Sequence, residues 1–133
     1  MIDKKYFEKF NGNVGITKEE LLKLKLPKNL PLDYLELLQL YNGGEGFVGE
    51  EYLILYSAEE LKQMNATYEI EKYTPGIFLI GSNGGDEAIA FDLRNSLIKV
   101  ILIPFMFEYK AIIELGNNMS KFFKKVFEIG YFE

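Results

Sequence analysis

The sequence contains no histidine, no cysteine and no tryptophan. The missing histidine removes the side chain that most often serves as general base and as metal ligand near neutral pH. Ser-His-Asp and Cys-His arrangements are excluded, as is an ordinary catalytic zinc site. The missing cysteine removes disulfides, thiol nucleophiles and thiolate-bound zinc. Long apolar runs are absent too. The longest, Val100 to Phe107, is interrupted by Pro104, whereas a membrane span needs roughly 18 or more apolar residues. Lys4 and Lys5 are followed by no apolar stretch of the kind a signal peptide requires. These absences predict a cytoplasmic protein without a membrane segment. In that setting the glycosylation patterns Asn65-Ala66-Thr67 and Asn118-Met119-Ser120 would be idle.

What is present is material for a core. The 133 residues are 48% hydrophobic and 15% aromatic, with 11 Phe and 9 Tyr. A chain of this size fits one domain over residues 1–133 and can bury a core without metals or staples. The net charge of −5 is unevenly placed. Residues 1–29 hold seven Lys and four acids, residues 30–92 two Lys and twelve acids, and residues 93–133 six bases and four acids. The middle block is strongly acidic. Such a field repels nucleic acid and attracts a basic partner, although an acidic surface also serves solubility alone.

Local signals divide the chain. Asp3 is placed to cap a short helix running to Phe10, ended by Asn11-Gly12. Thr17 and Glu20 form a capping box before Leu21, Leu22 and Leu24, and Pro27 stops that helix. Leu30-Pro31-Leu32-Asp33-Tyr34 opens the next helix, with Pro31 in its first turn and Asp33 where negative charge is favoured. Its broad apolar stripe predicts burial on most sides. Strand patterns follow at Tyr52 to Tyr56, Ile77 to Gly81, Glu87 to Leu93, Ile98 to Ile103 and near Tyr109 to Glu114. Ser57 caps a helix between the first two. Asn117 or Asn118 caps a last helix whose apolar face is Phe122, Phe123, Val126 and Phe127. Short turns between consecutive strands imply pairing with the neighbour in sequence. The expectation is an α+β fold: a mostly antiparallel sheet of four to six strands flanked by N-terminal and C-terminal helices.

The tripeptide Asn-Gly-Gly occurs twice, at Asn42-Gly43-Gly44 and at Asn83-Gly84-Gly85. The first copy begins a literal G-x-G-x-x-G, Gly44 to Gly49. A dinucleotide fingerprint needs strand, loop and helix in that order. Here a helix precedes the glycines, its C-terminal dipole repels anions, and Glu45, Glu50 and Glu51 add negative charge. The first copy is therefore expected to be a helix C-cap, with Gly43 at positive φ. The second lies between strand patterns and reads as a hairpin turn with Asp86 and Glu87 at its exit. Those carboxylates lack the spacing of a calcium loop. No residue is marked as catalytic, metal-ligating or cofactor-binding. A two-carboxylate hydrolase is conceivable in chemistry, but nothing singles out two of the 20 acids.

Leu30-Pro31-x-Asp33-Tyr34, an apolar helix and Asn42-Gly43-Gly44 form an ordered series. A strand at Leu53 to Tyr56, a helix at Ala58 to Asn65, and Ile80-Gly81 before a glycine turn continue it. A return to Phe91-Asp92 and a final helix with Phe122-Phe123 complete it. Together these resemble the SUKH superfamily over about residues 17–130. Its members include bacterial polymorphic-toxin immunity proteins and a yeast cell-wall synthesis regulator. The resemblance implies binding rather than catalysis: an immunity protein that neutralises a cognate secreted toxin, such as a nuclease, by direct contact. A nuclease must carry positive charge, which suits the acidic block. The partner is then a basic toxin domain, with no direct nucleic-acid or membrane binding and no cofactor. Glu45, Glu50, Glu51, Asp86 and Glu87 are the candidate partner-binding residues, since loops carry recognition. A regulatory or scaffold module is the alternative, and a small-molecule binder or unmarked enzyme ranks third.

Overall fold

A computed structural model describes residues 2–132. Seven strands make one antiparallel sheet, and their spatial order is their chain order. They are β1 (Lys9–Val14), β2 (Tyr41–Val48), β3 (Glu51–Leu55), β4 (Ile77–Ser82), β5 (Glu87–Asp92), β6 (Lys99–Pro104) and β7 (Ile113–Gly116). Five α-helices join or follow them: α1 (Lys18–Lys23), α2 (Leu32–Leu40), α3 (Leu61–Thr67), α4 (Ile70–Tyr73) and α5 (Met119–Glu128).

The α+β class and antiparallel pairing agree with the sequence patterns, but the sheet has seven strands rather than four to six. The two unexpected strands are the glycine-bearing ones. Asp3 does cap, accepting the Lys5 N–H at 2.9 Å, but only one 3-10 turn, Lys4–Phe7, follows before β1 begins. Phe10-Asn11-Gly12 is thus extended, not a helix end. The first Asn-Gly-Gly is no helix cap either. Tyr41 at the end of α2 is already extended at φ −134°, and the chain runs straight into β2. Gly43 does have positive φ, +78°. The reason is a close approach of backbones: a Cβ there would stand 2.7 Å from Leu55 O, Ser57 N and Tyr56 C.

Side-chain alternation sends successive residues of each strand to opposite faces. One face meets α1, α2 and α5 and holds the larger core, including Tyr34, Leu38, Leu53, Ile89, Phe91, Leu102 and Phe122. Tyr34 packs edge-on to Phe91 with ring centres 4.9 Å apart. The α2 helix buries Tyr34, Leu37 and Leu38 only; Leu32 is 72% and Leu40 53% exposed, so it is covered on one side rather than most. The other face has a smaller core over β4–β6, where Ile70 of α4 and Phe107 cover Leu79, Ala90, Ile101 and Ile103. The β-branched β6 is the buried central strand its composition requires. Farther along that second face, Glu45 and Phe47 of β2 stay exposed.

Candidate interaction surface

The strand directions of a meander place the β2–β3 turn and the β4–β5 turn at the same end of the sheet. They are neighbours: a Cβ on Gly84 would lie 3.2 Å from the Tyr52 ring. The five candidate carboxylates lie toward that end but not on one face: Glu45 faces outward, whereas Glu51 pairs with buried Val48 and reaches Tyr131 on the helical side. Glu45 is exposed on β2 and accepts the Tyr52 hydroxyl proton at 2.5 Å. That bond to an anionic acceptor pushes the Tyr52 hydroxyl above the usual tyrosine range. Glu50 is exposed in the turn, and Asp86 is exposed at the second hairpin. Glu51 and Glu87 are half-buried and engaged. The Glu51 carboxylate accepts the Tyr131 N–H at 2.9 Å, tying the C-terminal segment to β3, and the Tyr131 hydroxyl donates to Tyr52 O at 2.6 Å. Glu87 accepts from the Asn83 amide at 2.8 Å.

The two Asn-Gly-Gly copies do different work. Asn42 is buried and joins three elements. Its Oδ1 accepts the Ala58 N–H at 2.7 Å, its Nδ2 donates to Glu59 at 2.7 Å, and its carbonyl accepts from Asn13 at 3.1 Å. It thereby fixes the 3-10 turn Ala58–Glu60, where Ser57 and Glu60 form a capping box. Asn83 makes an Asx turn, with Oδ1 accepting from Gly85 N–H at 2.9 Å and Glu87 N–H at 3.3 Å. The contacts of Asn42 with Ala58 and Glu59 leave no local sequence signal, because the partners are 16 and 17 residues away in the chain.

The Leu30-Pro31-x-Asp33-Tyr34 series is likewise structural. Leu30 and Tyr34 are buried, and burial pushes the Tyr34 hydroxyl far above the ordinary range. Asp33 reaches across the fold to accept the Ser120 N–H at 3.1 Å, at the N-terminus of α5. Asn118 caps the same helix by accepting the Lys121 N–H at 2.8 Å.

These features, in this order on this sheet, set the frame for a comparison. The sequence matches the profile of the SMI1 / KNR4 family (SUKH-1) over residues 15–125. The chain belongs to that family. No curated protein matches the sequence. Membership in SUKH-1 puts the chain among immunity and regulatory proteins. In this SUKH-1 chain the glycine series is sheet architecture, so it offers no phosphate cradle.

Among the described residues no three acidic side chains converge as a metal cage would require. Depressions among the described residues include one of about 220 Å³ beside Lys5, Lys9, Phe47 and Phe127 and one of about 370 Å³ beside Lys99, Glu114 and Lys121. In the second, Lys99 and Glu114 pair at 2.7 Å. Neither is the mostly apolar cleft with a few convergent polar groups that small ligands prefer. No helix among the described residues is long and apolar enough to cross a membrane.

Proposed function

We propose that this SUKH-1 protein is a non-catalytic immunity protein that neutralises a cognate basic toxin domain, such as a nuclease, by direct contact through its acidic end. One observation carries the reading beyond family membership. Of the twelve acids in residues 30–92, only Glu69 and Asp92 have a cationic partner within 4 Å among the described residues. Glu45, Glu50, Glu51, Asp86 and Glu87 have none. Their field is not cancelled locally and acts outward, where it steers a basic partner to the surface.

The chemistry of the site supports binding over turnover. The sequence offers no histidine or cysteine to serve as general base or nucleophile. A cytoplasmic location and a bacterial toxin partner belong to this proposal.

The test is the association rate with the toxin domain encoded beside the gene, measured against ionic strength. Glu50→Lys and Asp86→Lys are the informative reversals, since both side chains are exposed and neither holds the fold. The expected result is slower association and a shallower salt dependence in the double variant. Screening should slow the parent as well, because the Debye length falls from roughly 10 Å at 0.1 M to about 3 Å at 1 M. Absence of binding between the parent and that domain overturns the immunity reading. An unchanged rate and salt slope in the variant removes these two residues from the interface.

A further inference from the structure

The second face of the sheet is covered over β4–β6, whereas its β1 and β2 residues Lys9, Asn11, Glu45 and Phe47 are exposed and its β3 residues Tyr52 and Ile54 half-buried. A solvent-facing antiparallel sheet ordinarily alternates apolar inward and polar outward. β1 obeys, with Lys9 and Asn11 outward and exposed. β2 and β3 do not: their outward residues are Glu45, Phe47, Tyr52 and Ile54. Phe47 is 48% exposed and meets Tyr52 edge-on, ring centres 5.1 Å apart. Glu45 faces Ile54 across the ladder and is held by the Tyr52 hydroxyl. Ile54 and Tyr52 border the Gly84 turn, with Asp86 beyond it. The result is two aromatic rings and an aliphatic side chain beside an oriented carboxylate with no cationic partner within 4 Å among the described residues.

We infer that the outward face of β2–β3 is the seat of an arginine-bearing extended segment of a basic protein partner. A guanidinium stacks on aromatic faces and donates in a planar fork to a carboxylate, which an ammonium cannot do equally well. Glu45 has one oxygen committed to Tyr52 and its remaining lone pairs open. An aliphatic residue next to that arginine covers Ile54. Lys9 lies in the same cross-strand row as Phe47 and repels a second cation there, so the arginine sits toward Ile54 and the Gly84 turn. The arrangement of an aromatic centre and a charged rim is that of an interface core. This deepens, and rests on, the proposed binding of a basic toxin.

The test uses short peptides in which arginine alternates with leucine, with arginine–serine and lysine–leucine peptides as comparisons, read by amide chemical shifts of the full chain. The arginine–leucine peptide should bind most tightly and shift Glu45, Phe47, Tyr52 and Ile54. Glu45→Gln and Phe47→Ser should each weaken it about tenfold, the loss of one charge-assisted or anchoring contact. Both positions are partly or fully exposed, and the amide spectrum of each variant reports its folding. No binding, equal affinity for the arginine–serine peptide, or shifts confined to Glu50 and Asp86 overturns the inference. The same variants against the co-encoded toxin separate the two readings. Toxin bound as tightly by the variants as by the parent defeats the face while the immunity reading stands. Toxin ignored by the parent defeats immunity, and the peptides still decide the face.

Discussion

At Asn42-Gly43-Gly44 the residue types match two different demands. Asn42 carries hydrogen bonds that would otherwise be missing from a buried junction, and Gly43 carries a conformation and a closeness that no side chain tolerates. Left-handed strain alone costs about 1–2 kcal/mol. At Gly43 a Cβ would also meet three backbone atoms at 2.7 Å, and backbone cannot swing aside as a side chain can. Gly43→Val should therefore cost more than that strain figure, and denaturant melts should show it. A variant melting with the parent would mean that β2 and the β3 exit are farther apart. Asn42→Ala should cost about 1–3 kcal/mol by leaving the Ala58 N–H unpaired in a buried place, with the loss read in the same melts. Gly44, whose Cβ would fall 2.3 Å from Asn11 O, extends the same logic to the β1–β2 pairing.

At the scale of elements, α1, α2, α3, α5 and β3–β6 were legible because their signals are local, whereas α4 carries no such signal and was not expected. Thr17 accepts the Glu20 N–H at 3.1 Å, Ser57 and Glu60 close their box, and Ile77, Ile89 and Val100 to Ile103 lie in strands. β1 and β2 were not legible. Lys-Phe-Asn-Gly-Asn-Val and Tyr-Asn-Gly-Gly-Glu-Gly-Phe-Val have little strand propensity, and glycine weakens a strand interior. They are strands because each closes on the other: Gly12 leaves room for the Tyr41 ring, and Gly44 for the Asn11 carbonyl. Such reasons live in pairs of residues far apart in sequence. The candidate site divides the same way. Acidic charge near the two turns could be read from composition. The tether of Glu51 to Tyr131 and the aromatic stripe of β2–β3 depend on register and could not. Asn65 is another case. Its amide donates to Leu79 O at 2.9 Å and accepts the Leu79 N–H at 2.8 Å, so one side chain supplies the pairing that β3 does not extend far enough to give. Asn65→Ala should cost about 1–3 kcal/mol, since buried backbone groups lose their partners. Amide exchange at Leu79 should rise by more than the global loss of stability explains. If Leu79 exchanges in step with the rest of the sheet, the side chain is not a substitute strand.

Across the whole molecule, the helical layer is not uniform in charge: α5 is basic, with Lys121, Lys124 and Lys125 against Glu128, α1 balances Lys18 and Lys23 against Glu19 and Glu20, and α2 carries only Asp33 and Glu36. Stability has its own charge dependence, to which two buried tyrosines contribute. Burial raises the Tyr34 and Tyr131 hydroxyls well above the ordinary value of 10.0. In the unfolded chain both ionise near that value, while in the folded chain both keep their protons. Above about pH 10 the native state therefore binds more protons than the unfolded state, so stability falls as pH rises. Each such group contributes about 1.4 kcal/mol per pH unit, and the pair about 2.7. Below pH 10 both are protonated in both states and contribute no slope. Tyr34→Phe separates this effect from general charge repulsion. Its hydroxyl is buried with no protein hydrogen-bond partner among the described residues, so removing it should leave neutral-pH stability unchanged or raised. The same change should lower the alkaline slope by roughly 1.4 kcal/mol per pH unit. The remainder comes from Tyr131 and from Tyr52 and Tyr56, whose hydroxyls are also raised. Denaturant melts at stepped pH from neutral to strongly alkaline measure both quantities. A variant that loses stability at neutral pH would show that the hydroxyl has a partner. A variant with the parent's alkaline slope would show that Tyr34 ionises in the folded state, and that the core around Phe91 admits water.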